Sequence, residues 1–88
     1  MSFDRGRLPN PETYLRSVGV ELKGRGIWKS GLCPFHDDQV ASLRVHSVDG
    51  AFKCQACGAK GHDLIAFERL RTGAGFVEAA KALGAWND

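Results

Sequence analysis

Cysteine is scarce in this chain: three in 88 residues, an odd number that closes no set of disulfides. No apolar run approaches the roughly 20 residues that a membrane-spanning helix needs, and no apolar segment near the N-terminus has the form of a signal peptide. A disulfide-stapled secreted fold and a helical membrane protein are thereby excluded, and a reducing cytoplasm is the expected compartment. Charge of one sign is lacking too. Twelve Lys plus Arg against ten Asp plus Glu give a net charge of +2, too small for bulk attraction to nucleic acid, so any basic face has to be local. Internal repeats and low-complexity segments are absent, and 43% apolar against 25% charged residues is ordinary for a globular chain rather than a disordered one.

What the chain does have is short. A sequence of this length makes at most one domain with a thin apolar core, so a staple such as a bound metal is expected to supplement burial. Residues 1–9 mix charge, Gly and Pro without a period and read as a flexible N-terminal tail, with the domain running over residues 10–88. Asn10 is placed to cap a helix that starts on Pro11, and Tyr14, Leu15 and Val18 give it one apolar stripe that ends at Gly19.

Residues 24–32 predict a strand that leads into Cys33. Residues 42–45 and 51–53 predict a hairpin around Asp49-Gly50, whose second strand delivers Cys54. Beyond Gly61 the period changes to helical: Leu64, Phe67 and Leu70, joined by Ile65, are expected to line the buried face of a helix over residues 62–71, with Asp63 at its start. Residues 76–83 predict another short helix before Trp86. The expected fold class is α+β, a small antiparallel β-sheet flanked by short helices, which a metal held by the residues described next would complete as a zinc ribbon.

Cys33, His36, Cys54 and Cys57 carry the chemistry. They read C-x2-H-x17-C-x2-C, two tight pairs a hairpin's length apart. Structural Zn²⁺ takes four such ligands at the corners of a tetrahedron, and a pair two residues apart wraps the ion through one turn. Three thiolates and a neutral imidazole leave no open position and a net negative charge that Lys53 or Lys60 can moderate. One structural Zn²⁺ is therefore the expected cofactor, and its binding free energy becomes folding free energy. The alternatives are three buried, unliganded cysteines, or the same zinc with His62 in place of His36, although His62 lies outside the x2 spacing. His46 reads as a solvated residue of the hairpin turn. A catalytic deaminase zinc is a poor match, since His36 is followed by Asp37 and Asp38 rather than H-x-E, and Lys53 rather than proline precedes Cys54.

Alternation along the strands suggests a basic face. With Leu43, Val45 and Phe52 inward, Arg44 and Lys53 face out, and Lys29 can join them; Trp28 or Phe35 nearby would stack on bases. The other reading is that Lys29, Arg44 and Lys53 only solvate the sheet while Trp28 and Phe35 are core, and the residues alone leave the two level.

The stretches CPFHDDQVASLRV and AFKCQACGAKGHDLIAF resemble, in order and spacing, the N-terminal zinc-binding domain of DnaG-type bacterial and phage DNA primases, and the likeness spans about residues 10–84. In that family the zinc ribbon contacts single-stranded template and helps choose where primers start, working with a separate polymerase domain. The resemblance implies that Cys33, His36, Cys54 and Cys57 are the ligands, that Phe35 is the aromatic of the first knuckle, and that Gly58, Gly61 and Asp63 form the turn and helix start. It tips the basic face toward binding. Ala41 departs from the family's proline before the Ser-Leu strand.

No acidic polymerase core and no Gly-rich phosphate loop occurs in these residues, so this chain is expected to have no primer-synthesis activity of its own. It would act with a polymerase domain or a replicative helicase as partner. The alternative is an adaptor that uses its C-terminal helices, with Phe76, Val77 and Trp86, and touches no DNA. A transcription-type ribbon on duplex DNA ranks last for want of a recognition helix rich in Arg and Asn.

Overall fold

Helix α1 (Pro11–Ser17) begins where its chemistry allows: Asn10 Oδ1 accepts from the Glu12 and Thr13 N–H groups at 2.9 and 3.2 Å, and Pro11 takes the first position, where no N–H is needed. The computed structural model describes residues 2–37 and 39–87; Met1, Asp38 and Asp88 lie outside the described residues. Tyr14 and Leu15 turn the apolar side of α1 inward.

Four strands form the main sheet: β2 (Trp28–Gly31), β3 (Leu43–His46), β4 (Phe52–Cys54) and β5 (Lys60–Gly61), antiparallel in that order. The strand β1 (Ser2–Phe3) and the last strand β6 (Trp86–Asn87) form a separate two-stranded antiparallel pair. The β3–β4 hairpin turns at the expected Asp49-Gly50, with Gly50 at φ 80°, a backbone that L side chains rarely adopt.

His46 differs from its expected role. It ends β3, its ring meets Trp28 edge-on at 5.1 Å, and its Nδ1 accepts from the N–H groups of Val48 and Asp49. The tight turn leaves those two amides without strand partners, and the imidazole supplies one.

Helix α2 (Leu64–Thr72) is capped by Asp63, which accepts from the Ala66 N–H at 3.0 Å, and it ends on Gly73 in the left-handed region at φ 78°. Its buried face departs from the expected one. Leu64, Ile65 and Phe67 are buried, but Leu70 is 52% exposed and Glu68 only 6%. Glu68 turns inward because the Tyr14 hydroxyl donates to it from α1 and Arg71 grips it from one turn further on. Helix α3 (Phe76–Ala82) follows and buries Ala79 and Ala80.

Residues 2–9, expected as a tail, are placed beside the C-terminus. Ser2 and Phe3 pair with Asn87 and Trp86, the Asp4 N–H donates to the Ala85 carbonyl at 2.8 Å, and Phe3 meets Phe76 edge-on at 5.2 Å. A two-residue strand is too short to show a period in sequence.

Two apolar clusters result. The larger joins Leu15 of α1, Leu43, Val45 and Phe52 of the sheet and Leu64 and Phe67 of α2, and it extends to Cys33 and Cys54. The smaller gathers Ile65, Ala79 and Ala80 under Phe3, Leu8 and Trp86. Each fully buried Leu or Phe contributes about 1.5–3 kcal/mol, so the larger cluster is what fixes the sheet against the helices and gives the cysteines a rigid base. Among the described residues, no helix is long and apolar enough to cross a membrane.

Candidate metal centre and the adjoining sheet face

Two turns bring the four candidate ligands together. Cys33 lies just past β2 and the chain reverses through Pro34–Asp37, which returns His36 toward the sheet. Cys54 is the last residue of β4, and the chain turns through residues 55–58 into β5 with Gly58 at φ 80°. The Gly58 N–H donates to the Cys54 carbonyl at 3.0 Å, and the Cys54 N–H donates to the Ala59 carbonyl at 2.7 Å, so this knuckle is held by backbone bonds.

The ligand atoms of Cys33, His36, Cys54 and Cys57 all lie within 4.8 Å of one another. Cys33 Sγ is 3.8 Å from Cys57 Sγ, and His36 Nε2 is 3.3 Å from Cys54 Sγ. A tetrahedron with Zn–S bonds of about 2.3 Å and a Zn–N bond of about 2.0 Å has edges of roughly 3.5–3.8 Å, so the set fits a zinc ion in both size and donor type. His62 is not part of the group.

The electrostatics are those of a metal cradle. Burial pushes the Cys33 thiol up to about 12, against the opposing pull of the Phe35 N–H, with the neighbouring thiols adding to the rise. Burial also acts to raise Cys54, but the N–H groups of Cys57 and Ala56 and the His36 ring outweigh it and hold that thiol at about 6. The two thiols are thus pulled in opposite directions, and because zinc takes thiolates its entry displaces protons. With four protein donors filling the tetrahedron, the chemistry a bound zinc supplies is cross-linking of the two knuckles.

The sheet register decides which side chains share its open face. Ser30 pairs with Arg44, Arg44 with Lys53, and Lys53 with Lys60, while Lys29 pairs with Val45. Directly paired residues point to the same side, so Arg44, Lys53 and Lys60 form a row across three strands, joined by Trp28, which pairs with His46 two residues along. Lys29 is on the opposite side from its expected companions. Its Nζ donates to the Gly24 carbonyl at 2.9 Å and lies 3.7 Å from Glu12 Oε1. Phe35, expected as either platform or core, is core: its ring lies 5.0 Å from that of Phe67 and 6.3 Å from that of Phe52.

Trp28 is 47% exposed and, with Ala51, Lys53, Lys60 and His62, borders a shallow pocket of about 400 Å³. Sequence reasoning left Lys60 out of the face. Its place follows from Gly61: that residue pairs with the inward-facing Phe52, so its neighbour must face out.

Fold and site together define a zinc ribbon of the Cys-His-Cys-Cys type. The family described as the CHC2 zinc finger, the zinc ribbon of DnaG primases, matches residues 14–87, and the chain belongs to it. It is 39% identical over 67 residues to a DNA primase of Helicobacter pylori (strain J99), covering 73% of this chain and 11% of that protein. It is 41% identical over 66 residues to a DNA primase of Geobacillus stearothermophilus, covering 75% and 11%. The crystal structure of the Aquifex aeolicus primase, with zinc-binding and RNA polymerase domains, matches 100% of this chain and 23% of its own with a TM-score of 0.70 at 32% identity. The chain thus spans about a tenth of the length of the curated relatives it matches.

Proposed function

We propose that Cys33, His36, Cys54 and Cys57 hold one structural Zn²⁺, and that this zinc domain of a primase binds single-stranded DNA across the open face of its sheet. The domain thereby assists template recognition and primer initiation by a polymerase domain, with or without a replicative helicase, in the cytoplasm. Primer synthesis itself belongs to the polymerase partner.

The row of Arg44, Lys53 and Lys60 is the observation that carries this. Like charges directly opposite each other weaken a sheet, yet these three sit in register, and none has an ion pair or side-chain hydrogen bond among the described residues. Such a row makes sense against a polyanion. Trp28 at the edge of the neighbouring pocket adds a ring on which a base of any identity can stack. Membership of the primase zinc-finger family makes a single-stranded template the fitting polyanion.

Fluorescence anisotropy of the zinc-loaded chain with a labelled single-stranded oligonucleotide is the direct test. Affinity is expected to fall by about tenfold or more in Trp28→Ala and to be lost in an Arg44→Ala, Lys53→Ala, Lys60→Ala triple variant. Equal binding by wild type and both variants would leave the adaptor alternative. That second reading draws on Leu70, Phe76 and Val77, which are 41–52% exposed on α2 and α3; Trp86 does not add to it, being half-buried against β1.

A further inference from the structure

A second cavity of about 380 Å³ lies between the N-terminal turn and the β3–β4 loop. Pro9, Pro11 and Leu64 give it apolar walls, Arg5 and Asp49 stand at its rim, and His62 lines both this cavity and the pocket beside Trp28. The exposed imidazole of His62, which has no hydrogen-bond partner among the described residues, borders both spaces. The two spaces therefore adjoin at His62.

The rim is chemically mixed. Arg5 is held over the Phe3 ring at 5.3 Å and donates from Nη1 to Asp63 at 3.2 Å, which leaves most of its five N–H donors unspent. Asp49 offers only acceptors. Its carboxylate lies 3.7 Å from His46 Nδ1, but that nitrogen is already engaged as acceptor for the Val48 and Asp49 N–H groups. A phosphate would meet Asp49 as a repelling charge. A nucleobase fits better, because flat apolar walls receive its face while a donor and an acceptor meet its edge.

We propose that this cavity is a second base pocket, taking the nucleotide next to the one on the sheet face and favouring bases that bear an exocyclic amino group for Asp49 to accept. The proposal rests on the single-strand reading of the sheet. Adenine, cytosine and guanine carry such a group and thymine does not.

The test is anisotropy of the zinc-loaded chain with fluorescein-labelled oligo(dC) and oligo(dT) in two lengths, one filling only the sheet-face pocket and one continuing past His62. The short pair is expected to bind alike. The long oligo(dC) is expected to outbind the long oligo(dT) by about fivefold, Asp49→Ala to abolish that preference, and Arg5→Gln to weaken the long oligonucleotides while sparing the short ones. A preference untouched by Asp49→Ala, or an Arg5→Gln effect equal at both lengths, overturns the second pocket while Lys53→Ala still reports on the sheet face alone. A wild-type chain that binds no oligonucleotide overturns both.

Discussion

The Tyr14 hydroxyl donates to the Glu68 carboxylate, joining α1 to α2 across 54 residues of sequence. Arg71 completes the arrangement with Nη2 at 3.0 and 3.1 Å from the two carboxylate oxygens. This is a buried acid satisfied from two sides, so removing either partner exposes the cost of burying the other.

Tyr14→Phe is expected to cost about 1 kcal/mol, and Glu68→Ala about 2–3 kcal/mol because it leaves a buried hydroxyl and a partly buried guanidinium without their acceptor. In a domain of this size each kcal/mol lowers Tm by about 4–8 °C, which thermal melts resolve. Burial, followed by the hydrogen bond to Glu68, pushes the Tyr14 phenol above its ordinary value. The folded state then keeps a proton that the unfolded chain loses near pH 10, so this contribution is intact below about pH 10 and declines above it. Tyr14→Phe should lack that decline, and melts of the two proteins that run parallel from pH 9 to 11 would contradict it.

Gly61 supplies a prediction of a different kind. A Cβ built there would sit 2.5 Å from the Ala66 Cβ and 2.7 Å from the Phe52 ring. Its backbone is not in the left-handed region, so glycine is needed for space: β5 passes directly between a helix and an aromatic ring. Gly61→Ala is expected to destabilise by about 1–3 kcal/mol, measured by urea unfolding, and the double variant Gly61→Ala with Ala66→Gly should recover part of the loss.

The metal set predicts an all-or-none response. Structural zinc in comparable peptides contributes about 10–16 kcal/mol, as much as the whole stability of an ordinary domain. A chelator, or Cys54→Ser, should therefore unfold the chain in circular dichroism, with native mass spectrometry showing one zinc lost. His36→Ala should lose the ion and His62→Ala retain it. A chelated protein that melts as before would contradict the cross-linking role.

Local chemistry was the legible part of this sequence. The caps at Asn10 and Asp63, the Asp49-Gly50 turn and the C-x2-H and C-x2-C pairs each depend on residues a few positions apart, and the structure places all of them as expected. Three features depended on distant partners. Leu70 rather than Glu68 is expected on the buried face of α2, because nothing near Glu68 in the sequence reveals that Tyr14 arrives from α1. The pairing of Ser2–Phe3 with Trp86–Asn87 needs both ends of the chain at once. Lys29 lost its place on the basic face because strand alternation fixes relative sides within one strand, whereas the side shared between strands is set by register, which pairs it with Val45.

That register yields the sharpest test of the single-strand reading. Each phosphate contact to a single strand contributes about 0.7 to the slope of log K against log salt, so Arg44→Ala, Lys53→Ala and Lys60→Ala should each flatten the slope by up to about that amount. Lys29 shares none of this, since its ammonium is spent on the Gly24 carbonyl and on Glu12 behind the sheet. Lys29→Ala should leave the slope unchanged and cost less than about 1 kcal/mol of stability, the range of a partly exposed ion pair. The two lysines thus separate face from mere charge: both substitutions remove one positive charge, so any effect of net charge would be the same for Lys29 and Lys60. A slope that responds equally to both would mean that the oligonucleotide senses the domain's overall field, and the row on the sheet would have no special standing.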